Sequence, residues 1–263
     1  MDKDRRQFLK IAGACAVGLS ALPLVRAVAS ERGPAYINIP EALQGKRWAM
    51  VVDVKKCQEY QKKNGECSKC IEACHYIHNV PTKIKNEEEI KWIWKDSFEH
   101  AFPGTAHEFV PEELKEGPFI LLCNHCSNPP CVQVCPTQAT FQRADGIVMM
   151  DHHRCIGCRY CMAGCPFGAR SFNWRDPRPY IEKLNYDYPT RRRGVVEKCT
   201  FCAERLGEGL EPACVEACPA KALIFGDLED PVSEVRRILK EKFTLRRKYE
   251  LGTYPNVYYI IEA

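Results

Sequence analysis

The chain has 263 residues, 17 of them cysteine, and a formal net charge of +4. Its 45% hydrophobic and 10% aromatic residues exclude a disordered chain, and its length allows one large domain or two small ones with a real core. A chain of this size rarely depends on disulfides to fold, so its cysteines require another explanation.

The N-terminus predicts an export signal. A basic stretch, an apolar run over residues 11–25 and the A-x-A sequence Ala27-Val28-Ala29 follow one another, and the run is short for a membrane span. Arg5-Arg6-Gln7-Phe8-Leu9-Lys10 resembles a twin-arginine signal. We therefore expect residues 1–29 to be a signal peptide for the periplasm or the outer face of the cytoplasmic membrane. An uncleaved, membrane-anchoring N-terminus is the alternative.

Apart from Cys15, which lies in the apolar run, the cysteines fall into four motifs of four. These motifs are Cys57, Cys67, Cys70 and Cys74; Cys123, Cys126, Cys131 and Cys135; Cys155, Cys158, Cys161 and Cys165; and Cys199, Cys202, Cys214 and Cys218. The third motif has the spacing C-x2-C-x2-C-x3-C-P of bacterial ferredoxins.

This spacing suits cubane [4Fe–4S] clusters. Three thiolates at short intervals in a tight loop point at one cluster, while the fourth cysteine begins a helix that faces away and serves a second cluster. The prolines that follow it in three motifs (Pro136, Pro166 and Pro219) suit a first helical turn, where no amide hydrogen is needed. Motifs therefore work in pairs, and four motifs predict four [4Fe–4S] clusters.

Internal repetition supports ferredoxin-like units. Cys135-Pro-Thr-Gln-Ala139, Cys165-Pro-Phe-Gly-Ala169 and Cys218-Pro-Ala-Lys-Ala222 are the same five-residue unit. Two strand-like runs around Asp145-Gly146 predict a hairpin after the first unit. The aromatic tail, residues 251–263, predicts a strand or a surface-hugging segment.

Two other uses of the cysteines remain as alternatives. Structural zinc sites take four ligands from two well-separated pairs, which the closely spaced third motif fits poorly. A disulfide framework agrees with export, but sixteen cysteines at such short intervals would make many strained loops. A three-iron cluster in one motif is a further possibility, although all sixteen thiols are present.

The motifs are similar to those of a known family. The order of the spacings, with Cys123-Asn-His-Cys-Ser-Asn-Pro-Pro-Cys-Val132 and Arg154-Cys-Ile-Gly-Cys-Arg-Tyr-Cys-Met162, resembles the four-cluster iron–sulfur subunits of membrane-associated oxidoreductases, of the dimethyl-sulfoxide-reductase and polysulfide-reductase type. The segments 47–57, 74–81 and 90–95 most resemble DsrO-type subunits of the DsrMKJOP complexes of sulfite- and sulfate-metabolising prokaryotes.

The resemblance implies an α+β, loop-rich fold of tandem ferredoxin-like modules in a pseudo-twofold arrangement. Residues 119–180 would hold the inner module with motifs two and three. Residues 30–118 would carry the first motif and an inserted region, and residues 181–263 the fourth motif and the C-terminal tail.

The resemblance also implies which cysteines share a cluster. The four ligand sets are Cys57, Cys67, Cys70 and Cys218; Cys74, Cys199, Cys202 and Cys214; Cys123, Cys126, Cys131 and Cys165; and Cys135, Cys155, Cys158 and Cys161. The first motif departs from the family pattern because nine residues separate Cys57 from Cys67 and His75 replaces the usual proline. The cluster that uses Cys57 is therefore expected to be the unusual one.

The function implied is electron transfer between an integral-membrane, quinone-interacting subunit (DsrP-like) and a multihaem cytochrome c (DsrJ-like). An electron-transfer subunit of a molybdopterin oxidoreductase such as polysulfide reductase is the alternative. The sequence contains no nucleophile–base constellation, phosphate loop or flavin fingerprint, so we expect no substrate site and no nucleic-acid partner.

Several residues outside the motifs also carry expectations. Trp92 and Trp94 are interpreted as packing residues, with a docking patch as the alternative. His125, like His152 and His153, is expected to be a hydrogen-bond donor near a cluster or exposed. The basic run Arg191-Arg192-Arg193 is interpreted as a solvated loop or a partner contact. The side chains that lie beside ligands and are expected to raise cluster potentials are Lys69, Arg159 and Lys198.

Overall fold

Short strands and helices make up the described chain. The structure, a computed structural model, describes residues 43–84 and 88–261, so the predicted signal peptide and Cys15 lie outside the described residues. The strands are β1 (Trp48–Asp53), β2 (Ile93–Asp96), β3 (Phe119–Leu122), β4 (Thr140–Gln142), β5 (Val148–Met150), β6 (Ser171–Phe172), β7 (Val196–Glu197), β8 (Leu223–Asp227) and β9 (Val257–Ile260). The helices are α1 (Val54–Asn64), α2 (Lys69–Ile77), α3 (Phe98–Ala101), α4 (Glu112–Glu116), α5 (Pro130–Gln133), α6 (Tyr160–Ala163), α7 (Ala203–Gly207), α8 (Ala213–Glu216) and α9 (Glu234–Glu241). This mixed content fits the predicted α+β class.

The central sheet joins the beginning of the described chain to its end. β1 lies in the middle, antiparallel to β8 and parallel to β9, with Met50 opposite Val257. Successive β1 residues face opposite ways: Met50 belongs to the main core, whereas Ala49 and Val51 belong to a second core beneath α9. The C-terminal tail therefore contains a strand, as its composition predicts.

Three antiparallel strand pairs complete the β structure of the described residues: β2 with β3, β4 with β5, and β6 with β7. The β4–β5 pair confirms the predicted hairpin, with Thr140 opposite Met150. Gly146 in its turn has a φ of +83°, a conformation that costs other residues energy.

The segments expected from the sequence are joined by strand pairing. The β2–β3 pair spans the 118/119 boundary, the β6–β7 pair spans the 180/181 boundary, and β1 pairs with β8 and β9. The described residues belong to one compact unit. Among them, none of the helices combines the length and the apolar character that a membrane crossing needs.

A buried ion pair joins Arg191 to Glu197 and corrects the interpretation of Arg191. Arg191 and Glu197 are 2% and 0% exposed, and Arg191 Nη2 lies 2.7 Å from Glu197 Oε2. Trp92 Nε1 and Asn173 Nδ2 also donate to this carboxylate, and Trp92 is itself buried. Burial alone would raise the pKa of Glu197, but Arg191 and these hydrogen bonds lower it. Arg191 is thus a core residue, so the expected solvated loop is wrong for it, whereas Arg192 and Arg193 are exposed.

We predict that Glu197→Gln destabilises the protein strongly. The substitution leaves the Arg191 charge buried without a counter-charge, which costs about 3–5 kcal/mol. The matched control is Glu241→Gln, which breaks an exposed pair with Arg237 and is expected to cost at most about 1 kcal/mol. Anaerobic thermal unfolding of the cluster-containing protein measures both, and equal losses in the midpoint temperature would contradict this prediction.

Candidate metal centre

Sixteen free thiols lie within the described residues, and all belong to the four predicted motifs. Fifteen of them are buried or half-buried, and Cys158 is exposed. We call the four expected ligand sets groups 1 to 4; within each set, apart from Cys158, the thiols raise one another's pKa or pack together.

Group 1 contains Cys57, Cys67, Cys70 and Cys218. Burial raises the pKa of Cys70 to about 12, and repulsion from Cys218, Cys57 and Cys67 contributes to that shift. Cys57 lies on α1 and Cys70 on α2, while Cys218 follows α8, which packs against α2. The fold therefore brings the last cysteine of the fourth motif to three cysteines of the first.

Group 2 contains Cys74, Cys199, Cys202 and Cys214. Burial raises the pKa of Cys74 well above its usual value, and repulsion from Cys199, Cys202 and Cys214 adds to it. This group is the reciprocal of group 1, because it combines the fourth cysteine of the first motif with three of the fourth motif.

Group 3 contains Cys123, Cys126, Cys131 and Cys165. Burial raises the pKa of Cys126 to about 12, and repulsion from Cys123, Cys165 and Cys131 contributes. Three cysteines of the second motif thus lie together with the fourth cysteine of the third motif.

Group 4 contains Cys135, Cys155, Cys158 and Cys161. Cys135, Cys155 and Cys161 pack in one cluster of side chains, which also contains Cys131 of group 3. Burial raises the pKa of Cys161, and repulsion from Cys131 and Cys155 adds to it. Helix α5, which precedes Cys135, packs against α6, which contains Cys161. Cys158 lies in the same loop, between Cys155 and Cys161, with its side chain at the surface.

Thiols of different groups also lie close together, and these contacts show which groups are neighbours. The inter-group pairs that raise a thiol pKa are Cys70 with Cys74 and Cys214, Cys123 with Cys199, and Cys131 with Cys161. Each pair joins consecutive groups, so the four groups form a row in the order 1, 2, 3, 4.

The Cys-Pro units form tight turns, which corrects the expectation that they begin helices. The turns are closed by hydrogen bonds from Gln138 N to Cys135 O (3.2 Å), Gly168 N to Cys165 O (3.5 Å) and Lys221 N to Cys218 O (3.1 Å). Helices α5, α6 and α8 end before the fourth cysteine, and the proline occupies the second position of a β-turn, which its fixed φ also suits. In the first motif, where His75 stands in place of the proline, helix α2 continues through Cys74.

Backbone amides point at several sulfur atoms. The donors and acceptors are Thr140 N to Cys135 Sγ (3.5 Å), Phe201 N to Cys199 Sγ (3.4 Å), Ala213 N to Cys202 Sγ (3.4 Å) and Ala222 N to Cys218 Sγ (3.3 Å). Hydrogen bonds of this kind stabilise negative charge on sulfur and tune iron–sulfur clusters.

The cations near the thiols are only partly those that the sequence indicates. Lys198 is buried and donates to the carbonyl oxygens of Cys199 (2.6 Å) and Val148. Lys69 and Arg159 are exposed. Arg170, which sequence reasoning missed, is buried and donates from Nη2 to Cys131 Sγ at 3.0 Å. Its only sequence signal is its position directly after the third motif's Cys-Pro unit.

Two histidines near the groups already have partners. His125 is buried, accepts a hydrogen bond at Nδ1 from Val148 N (3.1 Å) and stacks on Phe201 at 3.8 Å. His78 places Nε2 2.7 Å from Glu204 Oε1 and Nδ1 2.9 Å from the carbonyl oxygen of Cys74. The His78, Glu204 and Cys202 ligand atoms lie within 4.8 Å of one another, and we interpret His78 as a side chain that supports group 2.

The donor chemistry of the groups fits iron–sulfur clusters. The groups are built from thiols, the ligands that soft metal centres and iron–sulfur clusters select. Burial holds the pKa of thiols such as Cys70 and Cys126 near 12, so they need a bound cation to become thiolates at neutral pH. A [4Fe–4S] cluster supplies that positive charge, and its chemistry when bound is reversible one-electron transfer.

Comparison with known proteins agrees with this chemistry. A family described as "4Fe-4S dicluster domain" matches residues 118–179 and again residues 175–228. The Hdr-like menaquinol oxidoreductase iron-sulfur subunit 1 of Archaeoglobus fulgidus is 42% identical over 275 aligned residues, covering 97% of this chain and 97% of that protein. A tetrathionate reductase subunit of Salmonella typhimurium is 35% identical, covering 99% and 89%. The iron-sulfur cluster-binding subunit of menaquinone reductase from Nitratidesulfovibrio vulgaris is 36% identical, covering 81% and 88%.

We predict that Gly157→Ala disturbs the third motif more than Gly168→Ala does. Both glycines have positive φ, +72° and +65°, so either alanine costs about 1–2 kcal/mol. A Cβ at Gly157 would in addition lie 2.4 Å from the carbonyl oxygen of Gly194, whereas the space at Gly168 is open. Iron content and anaerobic thermal unfolding test this, and a Gly168 variant that loses as much iron as the Gly157 variant would contradict it.

Proposed function

The chain belongs to the family of ferredoxin-type iron–sulfur subunits that transfer electrons in membrane oxidoreductases, and on that premise we propose that it conducts electrons along a row of four [4Fe–4S] clusters. The observation that carries this proposal is the ordered row of four thiol groups. The proposed ligand sets are the four groups defined above, with each motif giving three cysteines to one cluster and one to its neighbour.

The burial of the thiols supports conduction from end to end. All four cysteines of group 2 and three of the four in group 3 are buried, so the middle of the row is shielded from solvent. Group 1 has half-buried thiols at Cys57 and Cys67, and group 4 has the exposed Cys158. Electrons therefore enter at one end of the row and leave at the other.

The surface around Cys158 suits close approach of a redox partner. Ile156 and Tyr160 flank this cysteine and are 67% and 64% exposed, which leaves little protein between the group 4 cluster and the outside. Arg159 lies over the ring of Trp174 at 4.6 Å and orders the rim of this surface. We assign this end of the row to electron exchange with a neighbouring subunit.

The proposed complex is linked to sulfur metabolism. We infer that the chain is the exported iron–sulfur subunit of a DsrMKJOP-type complex, between a DsrP-like quinone-interacting membrane subunit and a DsrJ-like multihaem cytochrome c. The motif pattern at 47–57, 74–81 and 90–95, and full-length similarity to a subunit of a menaquinol oxidoreductase, support this assignment.

The similarity to the tetrathionate reductase subunit favours a second candidate, an electron-transfer subunit of a molybdopterin oxidoreductase such as polysulfide reductase. Purification of the native complex separates the two candidates. A multihaem cytochrome among the subunits supports the first, and a large molybdenum-containing subunit supports the second.

The number of clusters gives a direct prediction. The anaerobically purified protein should contain about 16 iron atoms per chain, four for each cubane. A colourless sample without iron and sulfide would contradict the proposal and favour structural zinc or disulfides.

Pairs of Cys→Ser variants test whether motifs one and four each give their fourth cysteine to the cluster of the other motif. Cys70→Ser and Cys218→Ser should alter the same cluster signal in paramagnetic resonance, and combining them should alter no second cluster. Cys214→Ser should alter a different signal, although Cys214 lies four residues from Cys218 in the same motif. If the Cys214 and Cys218 variants alter one shared signal, each motif holds its own cluster and the crossed assignment is wrong.

Export by the twin-arginine route is the proposed localisation, with the signal at residues 1–29. Replacing Arg5 and Arg6 together by lysine should leave the protein and its iron in the cytoplasm, because this route reads the arginine pair. Cell fractionation with immunodetection measures the shift. Lysine keeps both positive charges, so the result reports on the arginine pair itself, and a Lys3→Gln variant, which loses a charge outside the pair, should be exported like the wild type. Unchanged export of the double variant would contradict the proposal.

A further inference from the structure

Arg170 is a buried cation without a carboxylate partner among the described residues. Its side chain is 5% exposed, and a guanidinium remains charged in proteins. Nη1 donates to Thr140 Oγ1 at 3.1 Å and approaches Met150 Sδ at 3.8 Å, while Nη2 donates to Cys131 Sγ at 3.0 Å. A buried charge of this kind is costly unless it is paired, and sulfur is the partner that this site offers.

The thiols around Arg170 come from two different groups. Cys131 belongs to group 3, and it packs in one cluster of side chains with Cys161, which belongs to group 4. Arg170 therefore lies at the junction of groups 3 and 4: it donates to a sulfur atom of group 3 and to Thr140, whose backbone amide donates to a sulfur atom of group 4.

The internal repeat shows that this cation is not required by the fold of the unit. The residue directly after each Cys-Pro unit is Thr140 after the first, Arg170 after the second and Leu223 after the third. All three units make the same turn, closed by the same backbone hydrogen bond. A small polar residue and an aliphatic one thus occupy the corresponding position elsewhere in this chain.

We propose that Arg170 is a shared electrostatic tuning residue that raises the midpoint potentials of the group 3 and group 4 clusters together. This inference rests on the proposed function, because it takes the thiols of both groups to be cluster ligands. When either cluster gains one electron from a donor outside this pair, the donor is oxidised by one electron and the negative charge near Arg170 grows by one. A fixed positive charge and N–H donors at sulfur favour the reduced state of both clusters.

Thr140 positions the guanidinium for this role. Its hydroxyl accepts from Nη1, and its backbone amide donates to Cys135 Sγ of group 4. The hydrogen bond fixes Nη1 of Arg170, so Nη2 faces sulfur. Thr140 acts through Arg170 and is a positioning residue, not a ligand.

The test compares three variants of the full-length protein, purified anaerobically with its clusters. Arg170→Leu introduces the residue found at the corresponding position of the fourth motif. Arg170→Lys keeps the charge but loses the two guanidinium nitrogens that donate to Thr140 and Cys131. The matched control is Arg178→Leu, which removes an exposed arginine that pairs with Asp176. Each protein is analysed for iron and then titrated with paramagnetic resonance detection.

We expect Arg170→Leu to keep its iron and to disfavour reduction of two of the four clusters by at least tenfold, which is about 59 mV for one electron. Arg170→Lys should shift the same two clusters by less, and Arg178→Leu should shift none. If only one cluster shifts, or none, the shared role of Arg170 is wrong.

Two further outcomes separate this inference from the proposed function. A wild-type protein without four clusters contradicts the function itself, whereas four clusters with unchanged potentials in Arg170→Leu contradict only the inference. If Arg170→Leu loses iron, Arg170→Lys decides: a paired, smaller decrease in two potentials supports the inference, and potentials equal to those of the wild type overturn it.

Discussion

Negative charge on buried sulfur is the constraint on which this structure depends. A thiol binds iron as a thiolate, yet burial in a protein interior opposes ionisation, as the raised pKa values of Cys70, Cys74 and Cys126 show. The cost falls only when positive charge and hydrogen-bond donors surround the sulfur atoms. Iron supplies most of that charge, and the chain must supply the remainder from its amides and its few buried cations.

The local structure follows from this requirement. Each Cys-Pro unit closes a tight turn, and the turns of Cys135 and Cys218 direct a later backbone amide to the sulfur of their own cysteine. Helices of one turn, such as α5, α6 and α8, separate the cysteines and leave many amides free for such contacts. Long helices and broad sheets would consume those donors internally, which accounts for the loop-rich character of the chain. The three-stranded sheet and the helix α9 behind it provide the apolar cores that stabilise these loops.

Patterns local in sequence were predictable from the residues themselves. Side-chain contacts distant in sequence were not, apart from the cysteine sets that the family resemblance implies. The motif spacings and the hairpin at Asp145-Gly146 depend on neighbouring residues, so the sequence indicates them directly. Arg170 lies 39 residues from Cys131, and Trp92 lies 105 residues from Glu197, so only the fold reveals their roles. The prediction that the proline after the fourth cysteine begins a helix was wrong for another reason. The fixed φ of proline suits both a helix start and the second position of a turn. Burial of Arg191 shows that a run of arginines does not by itself mean a solvated surface.

A preferred direction of electron transfer along such a row must come from residues that differ between the repeated units. Four similar clusters with identical surroundings would have equal potentials, and electrons would have no preferred end. The repeated unit is followed by Thr140, Arg170 and Leu223, so only one of the three positions carries a cation. Lys198, a second buried cation near thiols, lies close to Cys123 and Cys199, between groups 2 and 3. Lys198 lies between the two middle groups, whereas Arg170 lies between groups 3 and 4, so Arg170 favours added electrons on the group 4 side of the row. Because Cys158 exposes group 4 at the surface, the end that Arg170 favours is also an end that a partner can reach.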